Sequence, residues 1–340
     1  MSEAPAPPPS LPQLRSLQWP RGCGHRVAVG PAPPVPRIVL CFPGQGSQSP
    51  GMADGLVDTE IGARLIAVAT TTGLDLGSAL RGDAQGLRPT EIAQPALFLT
   101  EVTLAAALPH DLDIVGVAGH SIGEYAACVA AHALTPETAM ALVIERGRAM
   151  AAMREGTMAA VIGLDVARVD AICSGVTGVV VVANVNAPGQ VVISGAIDAV
   201  QGASAACREA GARRVMPLDV SGAFHSPLMA EAAARFAIAL AQAPLSDPEI
   251  PVVANLDAAA VRDAEGIRER LRRQLEAPVR WIDTVATLRS LGADVLVEVG
   301  PGSVLCGLVR RIDPSFHTLS VSTPTDAAAL PGRLGVAVHG

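Results

Sequence analysis

The sequence predicts an α/β protein: a parallel-sheet core with a small α+β subdomain inserted into it. Three observations lead there. From Arg37 onward, short apolar runs alternate with helix-length blocks, the order that builds parallel sheets flanked by helices. One such run, Asp113-Ile114-Val115-Gly116-Val117-Ala118, opens directly into Gly119-His120-Ser121-Ile122-Gly123. That G-x-S-x-G pattern is the nucleophile elbow, a strand-to-helix turn whose small neighbours let a serine hydroxyl stand free, and it makes the core hydrolase-like. Near residue 156 the texture changes to strand, helix, strand, strand, helix, strand, the order of a ferredoxin-like split unit.

Each element follows from its own residues. Residues 1–35 are proline-rich (APAPPPSLP, PAPPVP) and lack a period, so they read as a disordered tail. RIVLCF is a buried strand, 60–72 and 92–108 are helices, and DIVGVAG is the strand that ends at the elbow. Helices follow at 122–132 and 136–153, the second with Thr135 as N-cap and Pro136 at its first position. The small subdomain runs MAAVIGL, a helix near 166–174, VVVVANV, QVVISG, a helix near 197–210, and RRVMPL. The core resumes with a helix at 226–242, the strand PVVAN, helices at 264–275 and 281–291, the strand DVLVEVG and a helix at 302–311. The expected organisation is therefore a tail (1–35), a catalytic α/β subdomain (36–155 and 221–325), the ferredoxin-like insert (156–220) and a C-terminal tail (326–340). A cleft between the two subdomains is the expected substrate site.

Composition narrows the function. In 340 residues half are apolar but only 2% aromatic, so Ala, Val, Leu and Ile must fill the core. All 25 basic residues are arginine, so an arginine here needs a local argument before it signifies chemistry. A net charge of -7 argues against a nucleic-acid binder, which carries a basic face. The six cysteines are scattered, with no C-x-x-C pair and no metal-ligand spacing; reduced thiols in a cytoplasmic protein account for them. No basic segment followed by an apolar core marks a secretory signal. The charge-free stretch from Ser174 to Ile197 is interrupted by Asn184, Asn186, Pro188, Gly189 and Gln190, which suits two strands and a turn better than a membrane span.

Ser121 needs a base, because a free hydroxyl is a poor nucleophile at neutral pH. Of the seven histidines, His25 and His339 lie near the termini, and His120 adjoins the serine, where elbow side chains point apart. His225, in SGAFHSPLM, stands in a loop just before a helix, where a side chain can face a cleft. Asp165, Asp198 and Asp219 precede it, but none sits in an informative context; a backbone carbonyl can also hold an imidazole in the right tautomer. The stretch from Phe42 to Met52, FPGQGSQSPGM, follows the first strand with glycines that let backbone N–H groups approach a developing oxyanion. It is no phosphate loop, since no G-K-[ST] follows.

Seven segments in order, FPGQGSQ, GHSIGEY, ERGRAM, ANVNAPGQVVISG, GAFHSPLM, QLEAPVRW and VEVGPGSVL, resemble malonyl-coenzyme A:acyl carrier protein transacylases and the related acyltransferase domains of polyketide synthases. The resemblance covers about Arg37 to Val321. It implies Ser121 as acyl-accepting nucleophile and His225 as general base. It implies the backbone N–H groups of Gln45 and Ile122 as oxyanion hole, and Arg146 as the grip on the malonyl carboxylate. The main-chain carbonyl of Gln274 would orient the histidine, while Asn184 and Phe224 would line the acyl pocket. A planar guanidinium suits a carboxylate on its own chemistry, through two parallel charge-assisted bonds. GAFH resembles the HAFH form of malonyl-selective domains, with Gly222 expected to loosen one wall beside Phe224.

The implied reaction moves a malonyl group from malonyl-coenzyme A to the phosphopantetheine thiol of a holo acyl carrier protein, for fatty-acid or polyketide synthesis. Coenzyme A thioester enters as substrate; no metal, bound cofactor, nucleic acid or membrane is implied. An acyl hydrolase that clears carrier proteins and a non-catalytic docking module are the rival readings. The intact Ser121, His225 and Gln45 set weighs against the second, and Arg146 against the first. Arg268, Arg270, Arg272 and Arg273, or Arg310 and Arg311, are candidate docking patches for an acidic carrier.

Overall fold

β1 (Ile38–Phe42) is buried at every position, as a strand covered on both faces must be. After it come α1 (Glu60–Thr71), α2 (Leu76–Arg81), α3 (Thr90–Ala106), β2 (Ile114–Gly119), α4 (Gly123–Ala130) and α5 (Pro136–Ala152). The second region holds β3 (Thr157–Ile162), α6 (Val166–Gly175), β4 (Val180–Ala187), β5 (Gln190–Gly195), α7 (Ile197–Glu209) and β6 (Arg214–Pro217). The chain then makes a 3₁₀ turn (Pro227–Met229) that runs into α8 (Ala230–Gln242). β7 (Val252–Val253), β8 (Ala260–Val261), α9 (Ala264–Arg273), α10 (Trp281–Ser290), β9 (Val295–Val299), α11 (Val304–Ile312), β10 (His317–Val321) and α12 (Pro324–Arg333) complete it. This computed structural model describes residues 36–220 and 222–335; the proline-rich segment, His25, Cys23 and His339 lie outside the described residues.

The larger sheet has the order β10-β9-β1-β2-β7-β8, parallel throughout except for the antiparallel β7–β8 edge pair. Alternate residues of its strands face opposite sides. Ile38, Leu40 and Phe42 join one core with Val117 and Val297, while Val39 and Cys41 join the other with Ala118 and Leu296. The smaller sheet has the order β4-β5-β3-β6, antiparallel, with α6 and α7 packed on one face around Val161, Val169, Ile193 and Val200: the ferredoxin-like arrangement. Thr135 caps α5 by accepting from the Thr138 N–H, with Pro136 in the first turn.

The charge-free stretch divides into the end of α6, the strands β4 and β5 and a turn at Gly189, where φ is +67°. Among the described residues no helix is long and apolar enough to cross a membrane, and the five cysteines are free and buried.

The structure corrects the sequence reading in several places. The segment expected as a C-terminal tail from 326 is helical through Arg333, with Ala327, Leu330 and Pro331 buried. Its start is a capping box in which Thr323 and Asp326 satisfy each other's backbone N–H groups. The strands β8 and β10 and the helix α2 were not expected. PVVAN pairs over only two residues, and the helix expected from 226 begins with the 3₁₀ turn.

Candidate active site

The parallel register Phe42↔Gly119 puts the turn after β1 beside the turn after β2, at the carboxyl ends of adjacent strands. Ser121 stands on the second turn with φ +53°, a left-handed conformation that few non-glycine residues adopt. The flanking glycines are steric necessities. A Cβ on Gly119 would collide with the backbone of Gly123, and one on Gly123 with the Phe42 carbonyl. A Cβ on Gly44 would lie 2.7 Å from the His120 oxygen, so the two turns can close on each other only with glycine there.

His225 also has a positive φ, +58°, in a turn closed by the Ser226 hydroxyl donating to the Ala223 carbonyl at 2.6 Å. Its Nε2 lies 2.8 Å from Ser121 Oγ. Its Nδ1 lies 3.0 Å from the Gln274 carbonyl and 3.1 Å from that of Ala277. Carbonyls only accept, so Nδ1 carries the proton and Nε2 is free to take one from the serine. Asp165 instead caps α6, and Asp219 pairs with Arg88 at 2.9 Å across the mouth of the cleft. Burial, helped by the Arg146 charge, pulls the His225 imidazole down to about 3, so it rests neutral. His120 bonds Asn186 Oδ1 through Nε2 at 2.9 Å rather than the serine.

Arg146 projects from α5, 1% exposed. Its Nη1 donates to Gln94 Oε1 at 2.7 Å; its Nη2 donates to Gln274 Oε1 at 2.9 Å and to Ser121 Oγ at 3.1 Å. All three partners are neutral; the nearby Glu124 carboxyl acts on the cation through space only, so the fork makes no ion pair beside the Ser121 hydroxyl. Arg148, two residues on, turns outward to Glu145 and the Thr72 carbonyl. The Gln45 and Ile122 amides, on the two facing turns, donate to no partner among the described residues. Gln45 is steadied by its side chain, whose Nε2 donates to Thr90 Oγ1 at 3.1 Å.

These groups face a cavity of about 330 Å³ between the two sheets. The larger body contributes Gln45, Arg146 and Met150 to its walls, and the smaller one Met158, Asn184 and Leu218. Phe224 lines it as well, and here the expectation for Gly222 is overturned. A Cβ on Gly222 would meet the Phe224 ring at 2.8 Å and the Met153 carbonyl at 2.7 Å, so glycine admits the ring instead of leaving a gap.

Sequence reasoning missed three residues. Asn255, just past β7, accepts the Ser121 N–H at 2.7 Å and donates to the Gly119 carbonyl at 2.6 Å. Gln94 holds Arg146 from α3. Glu124, buried on the first turn of α4, bonds the Gln274 side chain, and burial raises its carboxyl to about 7. A polar residue ending an apolar parallel strand was the one available signal for Asn255. The arginines of the first candidate patch are mostly engaged: Arg270 with Asp257, Arg272 with Glu269, and Arg268 with the Leu240 and Ala243 carbonyls. Arg311 donates to the Pro188 carbonyl, and Arg310 to Thr318.

A serine on an elbow, a neutral histidine at its hydroxyl and two unengaged amides beside it form the apparatus of covalent acyl transfer. Residues 39–327 match the acyl transferase domain family. The malonyl CoA-acyl carrier protein transacylase of Salmonella typhimurium is 42% identical over 308 residues, 88% of this chain and 99% of that one. The solved transacylase of the same name from Coxiella burnetii superposes with a TM-score of 0.81 at 34% identity, covering 88% of this chain and 98% of its own. A malonyl-transacylase solved in complex with its type II polyketide acyl-carrier protein gives 0.81 at 35% identity, over 87% and 99%. The chain belongs to the acyl transferase family, among its malonyl CoA-acyl carrier protein transacylases.

Proposed function

We propose that this enzyme transfers malonyl groups from malonyl-coenzyme A to the phosphopantetheine thiol of an acyl carrier protein through a malonyl ester on Ser121. Ser121 Oγ attacks the thioester carbonyl while His225 Nε2 takes its proton. The Gln45 and Ile122 amides receive the oxyanion. The thioester C–S bond breaks, and the coenzyme A thiolate leaves with the proton from His225. The carrier thiol then gives its proton to Nε2 and attacks the ester, and Ser121 departs as the alcohol when Nε2 returns the proton. Nδ1 keeps its own proton throughout, against the Gln274 and Ala277 carbonyls. No electrons are exchanged, so the chemistry calls for no redox cofactor. The five free, buried thiols among the described residues suit a reducing cytoplasm as the place of reaction.

The observation that carries the reading is Arg146. A buried cation with neutral partners, within hydrogen-bond distance of the nucleophile, selects an acyl group that brings its own carboxylate. Asn184 and Phe224 then bound the rest of that acyl group. Mixing the protein with radiolabelled malonyl-coenzyme A and holo carrier protein tests the function. Label should pass through the protein to the carrier, and Ser121→Ala should abolish the protein-bound label. Label released as free malonate would favour the hydrolase, no label on the protein a docking role, and an adduct on another residue would overturn the nucleophile.

A further inference from the structure

Glu124 lies three residues after the nucleophile, on the first turn of α4, and is 2% exposed. A carboxyl group taken out of water is costly unless its contacts repay the cost. Glu124 does not line the cavity; apart from its charge acting through space on Arg146, its side chain reaches the site through the groups that it bonds. Its Oε2 accepts from Gln274 Nε2 at 2.5 Å and from the Asn255 N–H. Gln274 Nε2 spends its other hydrogen on the Ser121 carbonyl at 3.0 Å.

A primary amide has a donor end and an acceptor end. With both N–H groups of Gln274 committed to Glu124 and the Ser121 carbonyl, its oxygen must face the other way, where it accepts from Arg146 Nη2. Reversed, the amide would aim N–H at N–H on the guanidinium and oxygen at the Glu124 carboxyl. On the opposite flank Gln94 is set in the same manner: its Nε2 meets Met150 Sδ at 3.3 Å and its Oε1 takes Nη1. The guanidinium is thus clasped from behind by two amide oxygens, over the Tyr125 ring at 5.6 Å.

We propose that Glu124 is a positioning residue for carboxylate recognition: it fixes the direction of the Gln274 amide, which in turn holds the Arg146 fork toward the acyl pocket. This rests on the reading of Arg146 as the carboxylate grip. What matters is an acceptor oxygen at position 124. A carboxylic acid protonated on its other oxygen retains one, and so does an amide.

The test is the steady-state transfer of malonyl and acetyl groups from their coenzyme A thioesters to holo carrier protein, in the full chain. Glu124→Gln should stay within about threefold of wild type for both substrates, since it keeps an acceptor. Glu124→Leu should raise the malonyl KM about ten- to a hundredfold, the range for losing a hydrogen bond that involves a charged group. Its acetyl kcat/KM should fall by at least about threefold less than the malonyl value, because acetyl brings no carboxylate to the fork. Glu124→Asp, which withdraws the carboxyl by one methylene at unchanged charge, should give a smaller loss of the same kind and serves if the leucine variant does not fold. In a Gln274→Met background, which leaves the main-chain carbonyl to His225, either substitution should add nothing further. Equal losses for malonyl and acetyl, or additive effects in the double variants, would overturn the proposal. Arg146→Ala separates this role from the underlying reading. If it leaves malonyl preference intact, both fall; if it abolishes the preference while Glu124→Leu and Glu124→Asp preserve it, only the role of Glu124 falls.

Discussion

Asn255→Ala removes the two bonds that fasten the elbow from below. Ser121 holds φ at +53°, and a residue in such a region carries about 1–3 kcal/mol of strain that persists only where the surroundings impose it. Asn255 imposes it from both sides, accepting the Ser121 N–H at 2.7 Å and donating to the Gly119 carbonyl at 2.6 Å. Each backbone group left without a partner costs about 1–3 kcal/mol, and water entering the space of the lost amide recovers part of that. The expected loss of stability is therefore about 2–4 kcal/mol, read by urea denaturation. That is as large as the strain, so the elbow relaxes and the competent conformation becomes a minority. Ser121 acylation, followed by quenched-flow intact-mass measurement with saturating malonyl-coenzyme A, should slow about ten- to a hundredfold. Acylation at the wild-type rate, or a stability loss below about 0.5 kcal/mol, would refute the clamp.

Further outcomes follow from the same geometry. Because His225 is held near 3, acylation by a neutral acyl group should stay level from about pH 7 to about pH 5, measured as burst rate. An ordinary histidine would lose about twentyfold of its neutral form over that range. The linkage has the matching sign: below the ordinary value of about 6.5 the unfolded chain binds a proton that the folded His225 refuses, so this residue's contribution to stability falls as pH drops from there toward 3. Phe224→Ser should raise kcat/KM for methylmalonyl- relative to malonyl-coenzyme A about ten- to a hundredfold, since one methyl group is at stake; an unchanged ratio in competition assays would remove Phe224 from selectivity. Reversing Arg310 and Arg311 to glutamate should raise the KM for carrier protein at low salt and leave that for malonyl-coenzyme A alone. Unchanged carrier kinetics would make that pair ordinary surface.

What could be read along the chain was whatever is decided locally. The elbow announces itself through its own five residues, β1 as an unbroken apolar run and β9 as one interrupted only by Glu298. The Thr323–Asp326 capping box was equally local, but Pro331 and Gly332 obscured the helix that it starts. The clamp on the elbow was out of reach for a different reason. Asn255 is 134 residues from Ser121, and only the parallel register of β2 and β7 brings them together. Gln274 was legible as a carbonyl through resemblance, yet its side chain acts on Arg146 and Glu124, which no spacing encodes.

The smaller sheet is not simply laid over the larger body. β4 is joined to it by backbone bonds: the Val185 N–H donates to the Val279 carbonyl and the Val279 N–H to the Ala183 carbonyl, each at 2.9 Å. Val279 lies two residues beyond Ala277, in the very segment whose carbonyls hold His225. Grafting residues 156–220 alone from a relative would therefore cut through this seam. A foreign β4 would bond the same 274–279 segment whose carbonyls hold the His225 ring, so a mismatch at the seam would reach that ring. A chimera that carries the donor's 274–281 along with the insert keeps both sides of the seam from one parent, and that is the unit in which such enzymes should be recombined.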